Sequence, residues 1–152
     1  MNTLFKKTVN AFIAVMGIVL ISGCSNDSNL PKDGEYNLRF DKKELTFEAK
    51  ESSGIIRILD TGNWRHQDKW GVNYVTIGEV VHSNTFVTKS EGGDTFNVYD
   101  NPVVGEWYSI EKDGSNIIIQ LKENTGTERR MKISINAGAN GQGEVSIFQE
   151  GK

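Results

Sequence analysis

From Tyr36 onward, apolar and polar residues alternate with a period of two, and helical periodicity does not recur. In Glu44–Lys50, Leu45, Phe47 and Ala49 fall on one face, with Glu44, Thr46, Glu48 and Lys50 on the other. Met131, Ile133, Ile135 and Ala137 alternate with Lys132, Ser134 and Asn136, and Val145, Ile147 and Gln149 alternate with Ser146 and Phe148. Gly54–Leu59 and Asn116–Leu121 are short β-branched runs, and Trp107–Glu111 is a further strand. Trp70–Val81, Asn84–Thr88 and Thr95–Tyr99 are predicted as strands in the middle of the chain, with a loop over Ser90–Asp94. Glu51-Ser52-Ser53-Gly54 is predicted as a hairpin turn, and the Asp113-Gly114 pair as a primed turn. Glu123–Thr127 and Ala137–Gly141 are further turns. Short strands at this spacing predict an all-β fold, a β-sandwich of about seven to nine strands. No segment has both the length and the apolar stripe of an amphipathic helix.

The first residues follow a different pattern. Lys6 and Lys7 precede Ala11–Ile21, an unbroken apolar run, and then come Ser22, Gly23 and Cys24. This is the layout of a secretory signal peptide. The run is too short to cross a bilayer, which takes about 20 apolar residues. Ile21-Ser22-Gly23-Cys24 resembles the bacterial lipobox. That resemblance implies cleavage after residue 23 and lipidation of Cys24, which would anchor the chain to a membrane. An ordinary signal peptide followed by a free thiol is the alternative. Residues 24–36 hold few apolar side chains and many turn formers. They are expected to form a tether reaching about 40 Å at full extension. The organisation is then a signal peptide over 1–23, a lipidated cysteine and tether over 24–36, and a sandwich over 37–152. Ser25 does not resemble the aspartate that retains lipoproteins at the inner membrane of enterobacteria. The outer membrane is therefore the expected location, possible surface exposure included.

Charge and composition narrow the partners. The chain has 17 Lys+Arg against 20 Asp+Glu, a net charge of −3. Both cations of the signal segment leave with it, so the remainder is more acidic still. Nucleic acid is not an expected partner of such a surface. Cys24 is the single cysteine, so no disulfide can form within one copy of the chain. No cofactor is expected. The acidic stretch Glu91, Asp94, Asp100, Glu106 and Glu111 fits no calcium loop and is expected to be solvated surface.

Two further patterns resemble a known family. The first is Leu45–Ala49, a polar turn, Gly54–Asp60 and then Gly62-Asn63-Trp64. The second is Trp107–Ile110, a Gly turn, Ile117–Leu121, Asn124, Arg129 or Arg130, and Val145–Gln149. Together they are similar to the BACON domain, named as Bacteroidetes-associated, carbohydrate-binding and often N-terminal. The resemblance covers roughly 45–66 and 104–150. Residues 67–103 have no counterpart and resemble an insertion or variant strands. The family implies an immunoglobulin-like sandwich in exported proteins, in company with glycan-degrading enzymes. It implies either sugar binding or a spacer role.

The candidate chemistry follows the aromatic residues. No catalytic fingerprint is present, so an enzyme is not expected. Trp64 and Trp70 flank Arg65-His66-Gln67-Asp68-Lys69, which places two indoles beside polar side chains able to take sugar hydroxyls. Trp64, Arg65, Gln67, Asp68 and Trp70 are the expected ligand-binding residues, with Trp70 the best candidate for an exposed platform. Trp107 and Tyr108 must point to opposite faces of a strand, and Trp107 is expected in the core. Arg130 and Lys132 share an outward face, while Arg129 or Arg130 is expected in a structural ion pair. The expected function is non-catalytic binding of a polysaccharide or glycoprotein at the envelope. The alternative is docking to another envelope protein, or a spacer, with no sugar bound.

Overall fold

The computed structural model describes residues 36–61, 68–138 and 141–152. All of these belong to one compact unit, Pro31–Lys152. The signal segment, Cys24, the tether up to residue 35, and Trp64, Arg65 and Gln67 lie outside the described residues.

The described residues form strands without a helix. In chain order these are β1 (Tyr36–Asn37), β2 (Arg39–Phe40), β3 (Glu44–Phe47), β4 (Ser52–Asp60), β5 (Trp70–Ile77), β6 (Val80–Ser83) and β7 (Phe86–Glu91). They continue as β8 (Asp94–Tyr99), β9 (Val103–Val104), β10 (Tyr108–Asp113), β11 (Asn116–Leu121), β12 (Arg129–Ala137) and β13 (Gly141–Gln149). One sheet runs β1-β13-β12-β5-β6, with β3 also on β13; the second runs β2-β4-β11-β10-β9; β7 and β8 form a separate ribbon. Leaving aside the two-residue strands and the ribbon, eight strands build the two sheets. The chain is an all-β, immunoglobulin-like sandwich. Its first strands divide between the sheets, and β1 and β3 run parallel to the last strand while the other pairings are antiparallel.

The period-two pattern becomes the core. Ile56 and Ile58 of β4, Ile110 of β10, and Ile117, Ile119 and Leu121 of β11 face Val72 and Val75 of β5, Met131, Ile133 and Ile135 of β12, and Val145 and Ile147 of β13. Each such side chain contributes about 1.5–3 kcal/mol when fully buried.

Four turns differ from expectation. Glu51–Gly54 is not a hairpin, because β3 pairs with β13 while β4 pairs with β11 of the other sheet. Residues 48–51 therefore cross from sheet to sheet. Gly54 faces the crossover, where a Cβ would lie 2.7 Å from the Phe47 ring. The β10–β11 turn has Gly114-Ser115 at its centre rather than Asp113-Gly114, since Asp113 pairs with Asn116 and Gly114 takes φ of 57°. Trp70–Val81 is two strands, because Gly78 at φ 60° turns β5 back into β6. The Ser90–Asp94 loop shrinks to Gly92-Gly93, both at positive φ, and the β7–β8 pairing runs up to Glu91 and Asp94. Within residues 67–103, β5 is an integral strand beside β12, whereas β7–β8 is an added ribbon.

Candidate functional site

At the end of the sandwich where β13 finishes, four residues of the family-like pattern meet. Gln149 is fully buried. Its Oε1 accepts a hydrogen bond from Arg129 Nε at 2.9 Å, and its Nε2 donates to the carbonyls of Lys50 at 3.2 Å and Lys122 at 3.1 Å. Arg129 Nη2 also donates to Lys122 O at 2.6 Å, and the guanidinium lies 4.2 Å from the centre of the Trp107 ring. Asn124 Nδ2 donates to Thr127 O at 2.7 Å and Glu150 O at 2.8 Å. These residues tie strand ends and loops together and have a structural role. The expected ion pair takes a different form, since Arg129 is held by amide and carbonyl oxygens and by an aromatic face. Burial lowers the Arg129 pKa, and the nearby Glu106 carboxylate acts to raise it. Arg130 and Lys132 are exposed on the outward face. There they pair with Glu128 and Glu144.

Trp70 is not an exposed platform. It opens β5, is 4% exposed and belongs to the core. Its Nε1 donates to Gly114 O at 3.2 Å. Lys112 Nζ lies 4.7 Å from the ring centre and donates to the carbonyls of Trp70 and Asp68. The reason is its phase on the strand: Trp70 shares a face with buried Val72 and pairs with buried Ala137, so its side chain enters the interlayer space. Burial pushes the Lys112 ammonium below its usual pKa, and Asp68 partly opposes that shift. Asp68 is exposed, with its carboxylate 3.6 Å from Lys69. Asp68 and Trp70 do share a cavity of about 290 Å³, together with Phe96, Tyr99, Asp100 and Lys112. Lys69 lies over the Phe96 ring at 4.6 Å and also pairs with Glu91 at 3.7 Å. The Trp70 and Phe96 rings in this cavity therefore carry lysines.

A second and larger cleft, about 490 Å³, opens between the edge strands β6 and β9. It is lined by Ile77, Pro102, Val103, Val104 and Trp107 and by the polar His82, Ser83, Thr85, Asp100 and Glu106. Trp107 is half-buried and Tyr108 fully buried, the reverse of the expected order. On β10 the inward phase belongs to Tyr108 and Ile110, and Tyr108 packs so closely on Gly105 that a Cβ there would lie 2.2 Å from the ring. Trp107 instead caps the edge of the sandwich, meeting Tyr108 edge-on at 5.3 Å. Arg129 does not line the cleft, so the indole is covered on one side by the guanidinium and meets the cleft elsewhere. Asn84 braces the cleft by donating to Val72 O at 2.9 Å and Asp100 O at 3.0 Å. Sequence reasoning passed over Asn84, Asp100 and Trp107 as site residues. The available signal was the pair of turn-forming segments, Asn84-Thr85 and Asp100-Asn101-Pro102, which the fold brings together.

Among the described residues, no group of three or more His, Cys, Asp or Glu side chains is placed to hold a metal ion. Large apolar side chains remain exposed on β6 to β9, namely Val80, Val81, Phe86, Val87, Val98 and Val104.

No protein-family model and no curated protein matches this chain. Among solved structures it is similar to a protein from Bacteroides thetaiotaomicron determined by NMR, with a TM-score of 0.55 and 16% identity over 79% of this chain and 92% of that one. It also aligns with the M1 domain from titin at a TM-score of 0.44 and 9% identity, covering 76% of this chain and 94% of that one. The likeness to the Bacteroides protein is one of fold.

Proposed function

We propose that this chain is a non-catalytic lipoprotein of the bacterial outer membrane, anchored through Cys24, that binds a glycan or glycoprotein in the cleft at Trp107. The carrying observation is that the half-buried Trp107 lines a cleft together with polar and acidic side chains. Sugar rings present C–H faces to an indole, and carboxylate, imidazole and hydroxyl groups around it take the sugar hydroxyls. This reading puts the site at the β6–β9 edge, because Trp70 is buried and Trp64, Arg65 and Gln67 lie outside the described residues. The lipobox-like Cys24 and the BACON-like pattern support the same reading.

The test is titration of the chain from Ser25 onward with a panel of neutral and acidic polysaccharides, followed by NMR at backbone amides and indole N–H groups. The expected result is a saturable shift at the Trp107 indole and at residues 82–85 and 100–106. Shifts confined to other regions, or none across the panel with the protein folded, would overturn the reading.

A second reading has its own support. Val80, Val81, Phe86 and Val87 on β6 and β7 suit a protein partner in an envelope complex with no sugar bound. Cross-linking from these positions in intact cells would capture one defined protein if that reading holds.

A further inference from the structure

The cleft at Trp107 does not end at β9. A second groove, about 640 Å³, adjoins it on the sheet that runs β2-β4-β11-β10-β9. Val104, Gly105 and Tyr108 line both. Gly105 keeps the ridge between them low, since the buried Tyr108 ring leaves no room there for a side chain. Val104 stands on the same ridge. At 69% it is the most exposed large apolar side chain among the described residues.

The strand register fixes what the second groove offers. Val104 pairs with Ser109, Ser109 with Gln120, and Gln120 with Ser53. Directly paired residues share one face of a sheet. Their chain neighbours Tyr108, Ile110, Ile119 and Leu121 are buried and take the inner face. The four side chains therefore form an outward row across four strands, about 14 Å long at the usual strand spacing. Ser53, Ser109 and Gln120 all line the groove. Among the described residues, none bonds to the side-chain groups of these three, in contrast to the enclosed Gln149.

We infer that a glycan bound at Trp107 continues over the Val104–Gly105 ridge into this second groove, so that the ligand is a linear chain of several sugar residues. This rests on the glycan reading above and specifies the form of its ligand. The C–H face of a ring crossing the ridge covers Val104, and taking that apolar surface out of water favours the crossing. In the groove beyond, two hydroxyls and an amide both donate and accept, which matches sugar hydroxyls. Because one covalent chain fills both grooves, its second contact is intramolecular, and affinity grows with chain length until both are occupied.

The experiment is calorimetry on the chain from Ser25 onward with linear fragments of two, four and six residues. These come from cellulose, xylan, mannan, starch and polygalacturonate. In at least one series the hexasaccharide should bind about ten times more tightly than the disaccharide. Gln120→Ala, at an exposed position, should weaken the hexasaccharide about fivefold, the worth of one net hydrogen bond, and leave the disaccharide within about twofold. Amide shifts give a second readout. The hexasaccharide should move residues 53, 109 and 120 as well as 102–106, whereas the disaccharide should move only the latter. Equal affinity at every length overturns the inference while leaving the glycan reading standing. So does a gain with length that Gln120→Ala leaves intact and that moves no amide at 53, 109 or 120. If no fragment of any series binds, the glycan reading falls and the inference with it.

Discussion

Gln149 shows how much one polar side chain can carry when it is enclosed. Its amide joins the β12 strand, through Arg129, to the carbonyls of Lys50 and Lys122, which lie in two different connections. Gln149→Ala would remove the partner of the Arg129 Nε donor and of the Lys50 carbonyl, leave the Lys122 carbonyl its Arg129 bond, and open a void. The expected loss is about 2–4 kcal/mol in urea unfolding. Lys132→Ala should cost less than about 1 kcal/mol, because its pair with Glu144 is solvated at both ends. Equal effects from the two variants would contradict the role assigned to Gln149. That role was half-legible in sequence. Alternation with Val145 and Ile147 placed Gln149 on the inner face, but nothing local named its partners. Trp107 and Tyr108 show the same limit, since neighbours on a strand must oppose each other and only the packing of Tyr108 on Gly105 decides which enters.

At the scale of elements, strand positions followed from alternation, and pairing did not. The hairpin between β10 and β11 was foreseen because a short polar turn with glycine leaves few options. The β3–β4 connection has equally turn-like residues, yet it crosses between sheets, since both strands find partners far away in the chain. The β7–β8 ribbon is the weakest element on the same grounds. Two strands alone are marginal in water, and this pair is fastened through Tyr99, which packs against Gly71 of β5. A Cβ at Gly71 would lie 2.5 Å from the Tyr99 ring. Gly71→Ala should therefore loosen residues 86–99. Amide exchange there should quicken by at least about tenfold, while the global cost stays near 1–3 kcal/mol. Equal acceleration in β12 and the ribbon would show that the ribbon is not separately fastened.

The whole molecule relates the proposed anchor to the proposed site. Tyr36 pairs with Gly141, at the start of β13, on one edge of its sheet. Arg129, which lies over the Trp107 ring, meets Gln149 at the other end of that strand, about 26 Å away along eight residue steps. The cleft opens at the opposite edge, between β6 and β9. A chain held by its N-terminal tether would thus present the cleft away from the point of attachment, which suits a large or insoluble ligand. The anchor makes its own prediction. Cells fed radiolabelled palmitate should label the protein, and Cys24→Ala should abolish the label. A label of equal strength in the Cys24→Ala variant would overturn lipidation at Cys24.

Alternation of side chains along each strand, a local property with a period of two, was enough to determine the all-β sandwich, most strand positions and most of the core. The chain's acidity and its single cysteine were likewise fixed by composition. Which strands pair, which tryptophan is buried and where a cleft opens were decided only by tertiary structure. Polar residues precede Trp70 and suggest a platform, but it takes the inward phase of β5, shared with Val72, and its ring lies inside. Asn84, Asp100 and Trp107 are far enough apart in sequence that no local pattern joins them. They share a cleft because two sheet edges happen to face each other there, and long-range pairing alone brings those edges together.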